Sequence, residues 1–299
     1  MGKLIRGISK NARFVIVDTT SIVEHAKYIH GCAPTALDAF GRVLTAGIMM
    51  GSYLKGEDLV TIKTESDGPL KSIIITANAK NQVKGYLSDP LADLPLKDNG
   101  KHNVSQLVGK GTIKIFKDMG LKKPYVGISE LVTGGIAEDL AYYYFTSEQT
   151  PTVISLDVHL DYNNTIVSAG GYMVQLLPDA DEAFAEALER KIKAIKEMTE
   201  LLEGKMSLFD IADLLYDDME SEVPRPIEEF QILEEKYIEF ACNCNKDKFY
   251  KGLIALGKDE LKKIFYEEKE KKLEVECQFC RAKYEYFLED FKNMLEESK

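Results

Sequence analysis

The sequence predicts an α+β protein in three parts: an N-terminal mixed sheet-and-helix body, a helical linker, and a small C-terminal domain built on four cysteines. Three observations carry this. Short strand patterns joined by tight turns, with helical patterns between them, fill the first part and favour α+β over a doubly wound sheet. Charge is unevenly spread: residues 1–178 hold 18 basic and 17 acidic side chains, residues 179–299 hold 20 and 32, so the net −11 arises entirely in the second part. Four of the five cysteines follow Phe240, as one CxC and one CxxC pair. These changes set the expected boundaries: body 1–178, charged linker 179–234, cysteine domain 235–299.

Within the body, Arg13 to Asp18 is an apolar run that suits a strand. Thr19 to His30 carries Ile22, Val23, Ala26 and Ile29 at helical spacing, and Pro34 opens a second helix through Met50. The period then shortens. Leu59 to Thr64 and Lys71 to Ala77 are strands around an Asp67-Gly68-Pro69 turn, and Val83 to Leu87 continues the meander. Gly111 to Phe116 and Tyr125 to Ile128 form a later pair. Gly135 to Phe145 is helical. Thr152 to Leu160 and Ile166 to Leu177 close a hairpin at Asn163-Asn164, where Gly170-Gly171 marks a bulge or a close backbone approach.

No nucleotide-binding glycine motif, P-loop or nucleophile elbow occurs, so the chain is expected not to be an enzyme. His25, His30 and Cys32 invite a metal or Cys–His reading. A functional dyad needs a third, orienting group, and none is evident, so a buried thiol at a helix end is the better reading.

The linker begins with an Ala/Glu/Lys-rich stretch, Asp179 to Gly204, whose Phe184, Leu188, Ile192, Ile195, Met198 and Leu202 form one apolar stripe. Gly204 stops that helix, Ser207 caps a second over Leu208 to Met219, and Val223-Pro224-Arg225-Pro226 breaks the pattern. Narrow stripes and many charges suit either a helical hairpin packed on the body or a marginal segment that docks in one state and melts in another.

Cys242, Cys244, Cys277 and Cys280 are the strongest signal. Four thiolates match the tetrahedral preference of zinc, and each short pair can bite a metal from one turn. Leu253, Ile254, Leu256, Leu261, Ile264 and Phe265 are the expected mini-core, with Phe240, Phe279, Tyr284, Tyr286 and Phe287 packed around the site. A 65-residue module usually needs a metal or disulfides, and zinc binding of roughly 10–16 kcal/mol would act as folding energy. An iron–sulfur cluster or free or disulfide-bonded thiols are the alternatives. Four cysteines close the site, which disfavours zinc hydrolysis. Metal-held thiolates remain oxidisable, so the site reads either as purely structural or as a redox fuse.

These residues, together with Asp67-Gly68-Pro69, Leu107-Val108-Gly109-Lys110-Gly111, Tyr144 to Pro151 and Ala169-Gly170-Gly171, resemble the heat-shock protein 33 family of redox-regulated bacterial holdases across essentially the whole chain. The resemblance implies that Cys242, Cys244, Cys277 and Cys280 bind one zinc per chain when reduced. It implies that oxidation forms Cys242–Cys244 and Cys277–Cys280 disulfides, releases zinc, and unfolds the cysteine domain and linker. It further implies an active, dimeric form that holds unfolding clients without ATP. Cys32 has no counterpart in the family pattern, and Arg281 stands where a small turn residue is expected.

The acidic balance disfavours nucleic acid as a partner, and no apolar run is long enough for a membrane helix. The N-terminus lacks a secretory hydrophobic region, so a cytoplasmic location is expected. The competing reading is a structural zinc module in a nucleic-acid- or ribosome-associated protein.

Overall fold

The computed structural model describes residues 1–217, 227–267 and 272–292. By contact the chain forms two compact units, Met1–Ala241 and Cys242–Lys299. The division falls at Ala241/Cys242 rather than at 234/235 because residues 230–240 are a strand of the first unit's sheet.

In chain order the first unit comprises β1 (Gly2–Ser9), β2 (Ala12–Asp18), α1 (Thr20–His30), α2 (Pro34–Gly51), β3 (Leu59–Ser66), β4 (Ser72–Asn78), β5 (Gln82–Leu87) and α3 (Val104–Val108). It continues with β6 (Gly111–Asp118), β7 (Tyr125–Glu130), α4 (Ala137–Ser147), β8 (Thr152–Leu160) and β9 (Ile166–Leu176). Then come α5 (Glu182–Ala194), α6 (Met198–Glu203), α7 (Leu208–Tyr216) and β10 (Phe230–Phe240). The ten strands make one sheet in the order β7-β6-β3-β4-β5-β10-β1-β2-β9-β8. Every neighbouring pair is antiparallel except β10 with β5. The α+β expectation is met.

Period-two alternation builds a core on each face. Leu4, Val15, Val17 and Met173 face α2, which is buried along nearly its whole length. Ile5, Phe14, Ile16, Tyr172 and Val174 face the opposite way, under a cap of α5, α6 and α7 supplied by Phe184, Leu188, Met198, Leu201, Ile211, Leu215 and Tyr216. The stripe read as one helix over 179–204 is thus two helices. The break at Ile195–Glu197 lets the Met198 N–H donate to Asp157 Oδ2 at 3.0 Å, which fastens α6 to β8. Gly204 ends α6 as expected. Ser207 caps α7 in a reciprocal box with Asp210. Met219 and the Val223–Pro226 breaker lie outside the described residues.

Two strands, β1 and β10, go beyond the sequence reading. They are rungs of one ladder, with Lys3 beside Glu235 at 3.6 Å and Arg6 paired to Glu234. A bulge between Arg6 and Gly7 turns β10 over. Its early residues Phe230 and Ile232 pack in the cap-side core, and Ile238 and Phe240 in the α2-side core. At Gly170-Gly171 the strand pairing runs on unbroken. Side chains there would strike the Val17 and Ser155 carbonyls, so these glycines mark a close approach rather than a bulge.

The second unit holds α8 (Lys246–Ala255), α9 (Lys258–Glu267), the hairpin β11 (Lys272–Glu276) and β12 (Lys283–Phe287), and a short 3₁₀ turn, Leu288–Phe291. Its small core is Leu253, Leu261, Phe265, Tyr286 and Phe291. Ile254 is partly buried against it and Leu256 is exposed. No helix among the described residues is long and apolar enough to cross a membrane.

Candidate metal centre

Cys242 and Cys244 lie just ahead of α8, whose N-terminus is capped by Asn245 accepting from the Lys248 N–H at 2.9 Å. Cys277 and Cys280 occupy the turn of the β11–β12 hairpin. That turn closes through Arg281 N–H to the Cys277 carbonyl at 2.7 Å and Cys277 N–H to the Ala282 carbonyl at 2.9 Å. The hairpin is pinned by the ion pairs Lys283–Glu274 and Lys272–Glu285 at 2.7 and 2.6 Å. Arg281 sits in the left-handed region at φ 59° and pairs with Glu276 at 2.8 Å. The turn-permissive residue expected there is therefore one the backbone calls for.

All four sulfurs lie within 4.8 Å of one another. Cys242 Sγ is 3.8 Å from Cys277 Sγ, and Cys244 Sγ is 3.3 Å from Cys280 Sγ. A tetrahedron with metal–sulfur bonds of about 2.3 Å has edges of about 3.8 Å, so the spacing fits one ion held by four thiolates. Among the described residues this is the one such group of candidate ligands. Cys277 is buried and the other three are part-buried. None is in a disulfide.

Burial pushes the Cys244 thiol up, but hydrogen bonds from Tyr284 and the other sulfurs outweigh it and hold it down to about 7. Burial raises Cys242 and Cys280. The Tyr284 hydroxyl lies 3.2 Å from Cys244 Sγ, and its ring packs on Phe249 with centroids 5.2 Å apart. Tyr286 is buried and donates to the Lys246 carbonyl at 2.6 Å. Phe287 is exposed. Phe240, expected at this site, instead belongs to the first unit, where its ring lies 5.3 Å from that of His25. The aromatic count of the tail pointed to packing. The direct oxygen–sulfur contact of Tyr284 had no sequence signal beyond its place four residues after Cys280.

The other candidates stay apart from this cluster. Cys32 is buried in the α2-side core, and His30 packs edge-on against Phe40 at 5.5 Å. Two of the stretches that carried the resemblance meet in one turn cluster. Asp67 Oδ1 accepts from the Lys110 N–H at 2.7 Å, and the Gly68 N–H donates to the Val108 carbonyl at 3.1 Å.

A two-faced α+β body with a helical cap, followed in the chain by a small module presenting four clustered thiols, defines a class of protein that combines a globular scaffold with a metal-capable cysteine cluster. The comparisons make the class particular. The profile of the Hsp33 protein family matches residues 2–287. The "33 kDa chaperonin" of Clostridium perfringens is 39% identical, over 99% of this chain and 91% of the relative. That of Clostridium botulinum is 38% identical, over 98% and 97%. The crystal structure of the Thermotoga maritima 33 kDa chaperonin superposes with a TM-score of 0.86 at 29% identity, over 98% of this chain and 97% of the other. The chain belongs to the Hsp33 family of chaperones.

Proposed function

We propose that the protein is a redox-regulated, ATP-independent holdase whose sensor is Cys242, Cys244, Cys277 and Cys280. The observation that carries this is the mutual approach of the four sulfurs within 4.8 Å, in a module whose core, among the described residues, is five buried side chains. Zinc bound there would keep the sulfurs as thiolates and add folding energy to the module. The chain supplies the rest. Oxidation to Cys242–Cys244 and Cys277–Cys280 disulfides removes the ligands, and the module loses its staple. In this reading the linker helices α5–α7 melt with the cysteine module that begins at Cys242, and the body's ten-stranded sheet, β10 included, persists. Lifting α5–α7 uncovers Ile5, Phe14, Ile16, Tyr172 and Val174 for unfolding clients. The working form is a cytoplasmic protein that dimerises when oxidised and takes no nucleic acid.

The test is light scattering from a thermally unfolding client. The protein is either reduced and zinc-loaded, or oxidised by peroxide at elevated temperature. Suppression by the oxidised form alone, reversed by a thiol reductant, is expected. Cys277→Ser and Cys280→Ser are expected to bind zinc poorly and to lose oxidant control. Equal suppression in both states would make the zinc merely structural.

A further inference from the structure

We propose that Tyr284 is the positioning residue that sets how readily the four-sulfur site is oxidised, by donating its phenolic hydrogen bond to the Cys244 sulfur. The inference rests on the metal-thiolate reading above and adds a residue to it. Tyr284 stands on β12, opposite Val275 of β11, so the hairpin that carries Cys277 and Cys280 also carries the hydroxyl that reaches Cys244 from the other pair. Its ring is fixed against Phe249, which leaves the hydroxyl 3.2 Å from Cys244 Sγ.

In the metal-holding state the sulfur has no proton. The phenol is then the donor and the thiolate the acceptor, a charge-assisted contact. Such a bond draws electron density from sulfur and makes it a weaker nucleophile. With hydrogen peroxide as oxidant, the Cys244 thiolate attacks one oxygen: an S–O bond forms, the O–O bond breaks, and hydroxide leaves. The Cys242 thiolate then attacks the resulting sulfenic sulfur: the S–S bond forms and a second hydroxide leaves. Two thiolates have lost two electrons and the peroxide has gained them. The Tyr284 hydrogen bond slows the first of these attacks, so a weak peroxide pulse does not open the site. Outer hydrogen bonds to metal ligands typically change site properties by 10-fold or more, and about tenfold is the expected effect.

The experiment uses the full chain, reduced and zinc-loaded, mixed with hydrogen peroxide and a chromogenic zinc chelator. Tyr284→Phe keeps the ring and its packing and removes only the hydroxyl. It is expected to release zinc about tenfold faster than wild type. With cobalt(II) as probe, the same variant is expected to move the sulfur-to-cobalt charge-transfer band to lower energy, a change that a purely structural role would not make. Placing 3-fluorotyrosine at 284, a stronger donor of nearly the same shape, should slow release and move the band the other way. If Tyr284→Phe fails to show a four-sulfur cobalt spectrum, the fluorotyrosine protein carries the test. Wild-type rates and band positions in both proteins would overturn the role of Tyr284 while leaving the switch intact. A wild type that binds no metal, or keeps it under peroxide, would overturn the switch and this inference together.

Discussion

Replacing Tyr216 with alanine should turn the protein on without an oxidant. Tyr216 is 1% exposed at the end of α7. Its ring centroid lies 4.9 Å from that of Phe230, 5.4 Å from Phe14 and 6.1 Å from Phe184, so one side chain ties the cap to two strands of the sheet. Its hydroxyl is 3.4 Å from Ser9 Oγ. Truncating a buried aromatic of this kind costs about 4 kcal/mol. At 1.4 kcal/mol per factor of ten, the ratio of docked to undocked cap falls by roughly three powers of ten. Among the described residues Phe184 is the one other aromatic that α5–α7 bury, and elements that move in switching are drawn from the low-stability end of a protein. Two assays on the reduced, zinc-loaded variant read this out. Hydrogen exchange over 182–216 should rise to near-unprotected rates. Client scattering should be suppressed with no peroxide present and with zinc still bound. A variant with an opened cap, retained zinc and no holding activity would refute the idea that docking of α5–α7 alone conceals the client surface. Unchanged exchange would refute the magnitude.

Three further outcomes follow from the same structure. Arg281→Gly removes a side chain from a left-handed position, and the expected gain of about 1 kcal/mol in the module exceeds the worth of the exposed Glu276 pair, so zinc competition should show tighter binding. Gly68→Ala would drive a methyl group into the Leu107 and Val108 carbonyls, so urea unfolding of the body should show a loss of about 2 kcal/mol or more. Burial holds the Asp157 carboxyl above its ordinary range, against the hydrogen bonds from Ser155 and Met198 and the pull of Arg42. The native state therefore keeps its proton longer than the unfolded chain. Stability is lost as pH rises from about 3.9 through the raised native value. Asp157→Asn should flatten that slope and hold the cap more firmly at pH 7, which hydrogen exchange of α6 against pH will measure.

Much of this architecture is legible in the residues, and the misses have physical causes. The meander from Leu59 to Leu87 and the hairpin from Thr152 to Leu177 show themselves because alternation and turn residues are local signals. Strands β1 and β10 do not. Lys3 and Arg6 interrupt β1, and Glu234, Glu235 and Lys236 give β10 the pattern of solvated chain. Lys3 meets Glu235 and Arg6 meets Glu234 across a sequence distance no window spans. The division of 179–204 into two helices is likewise set from outside, by a carboxylate on β8. At the candidate metal centre, the spacing of the four cysteines is sufficient to single out the four residues whose sulfurs the fold brings together, since two short-spaced pairs are a local signal. Tyr284 needs the fold, because only the hairpin brings its oxygen to a sulfur forty residues away in the chain.

The place of β10 has a consequence for how the molecule is made. Among the described strands, it alone joins the five-strand run ending in β5 to the four-strand run beginning with β1. Its residues, 230–240, leave the ribosome after every other strand of that sheet has been synthesised. Until then the nascent chain carries two unfilled strand edges, Gly2–Ser9 and Gln82–Leu87, and two half-sheets that cannot close. The sheet is completed only by the last segment before Cys242, so a chain interrupted after residue 178 is not a finished body but two open half-sheets waiting for their common strand.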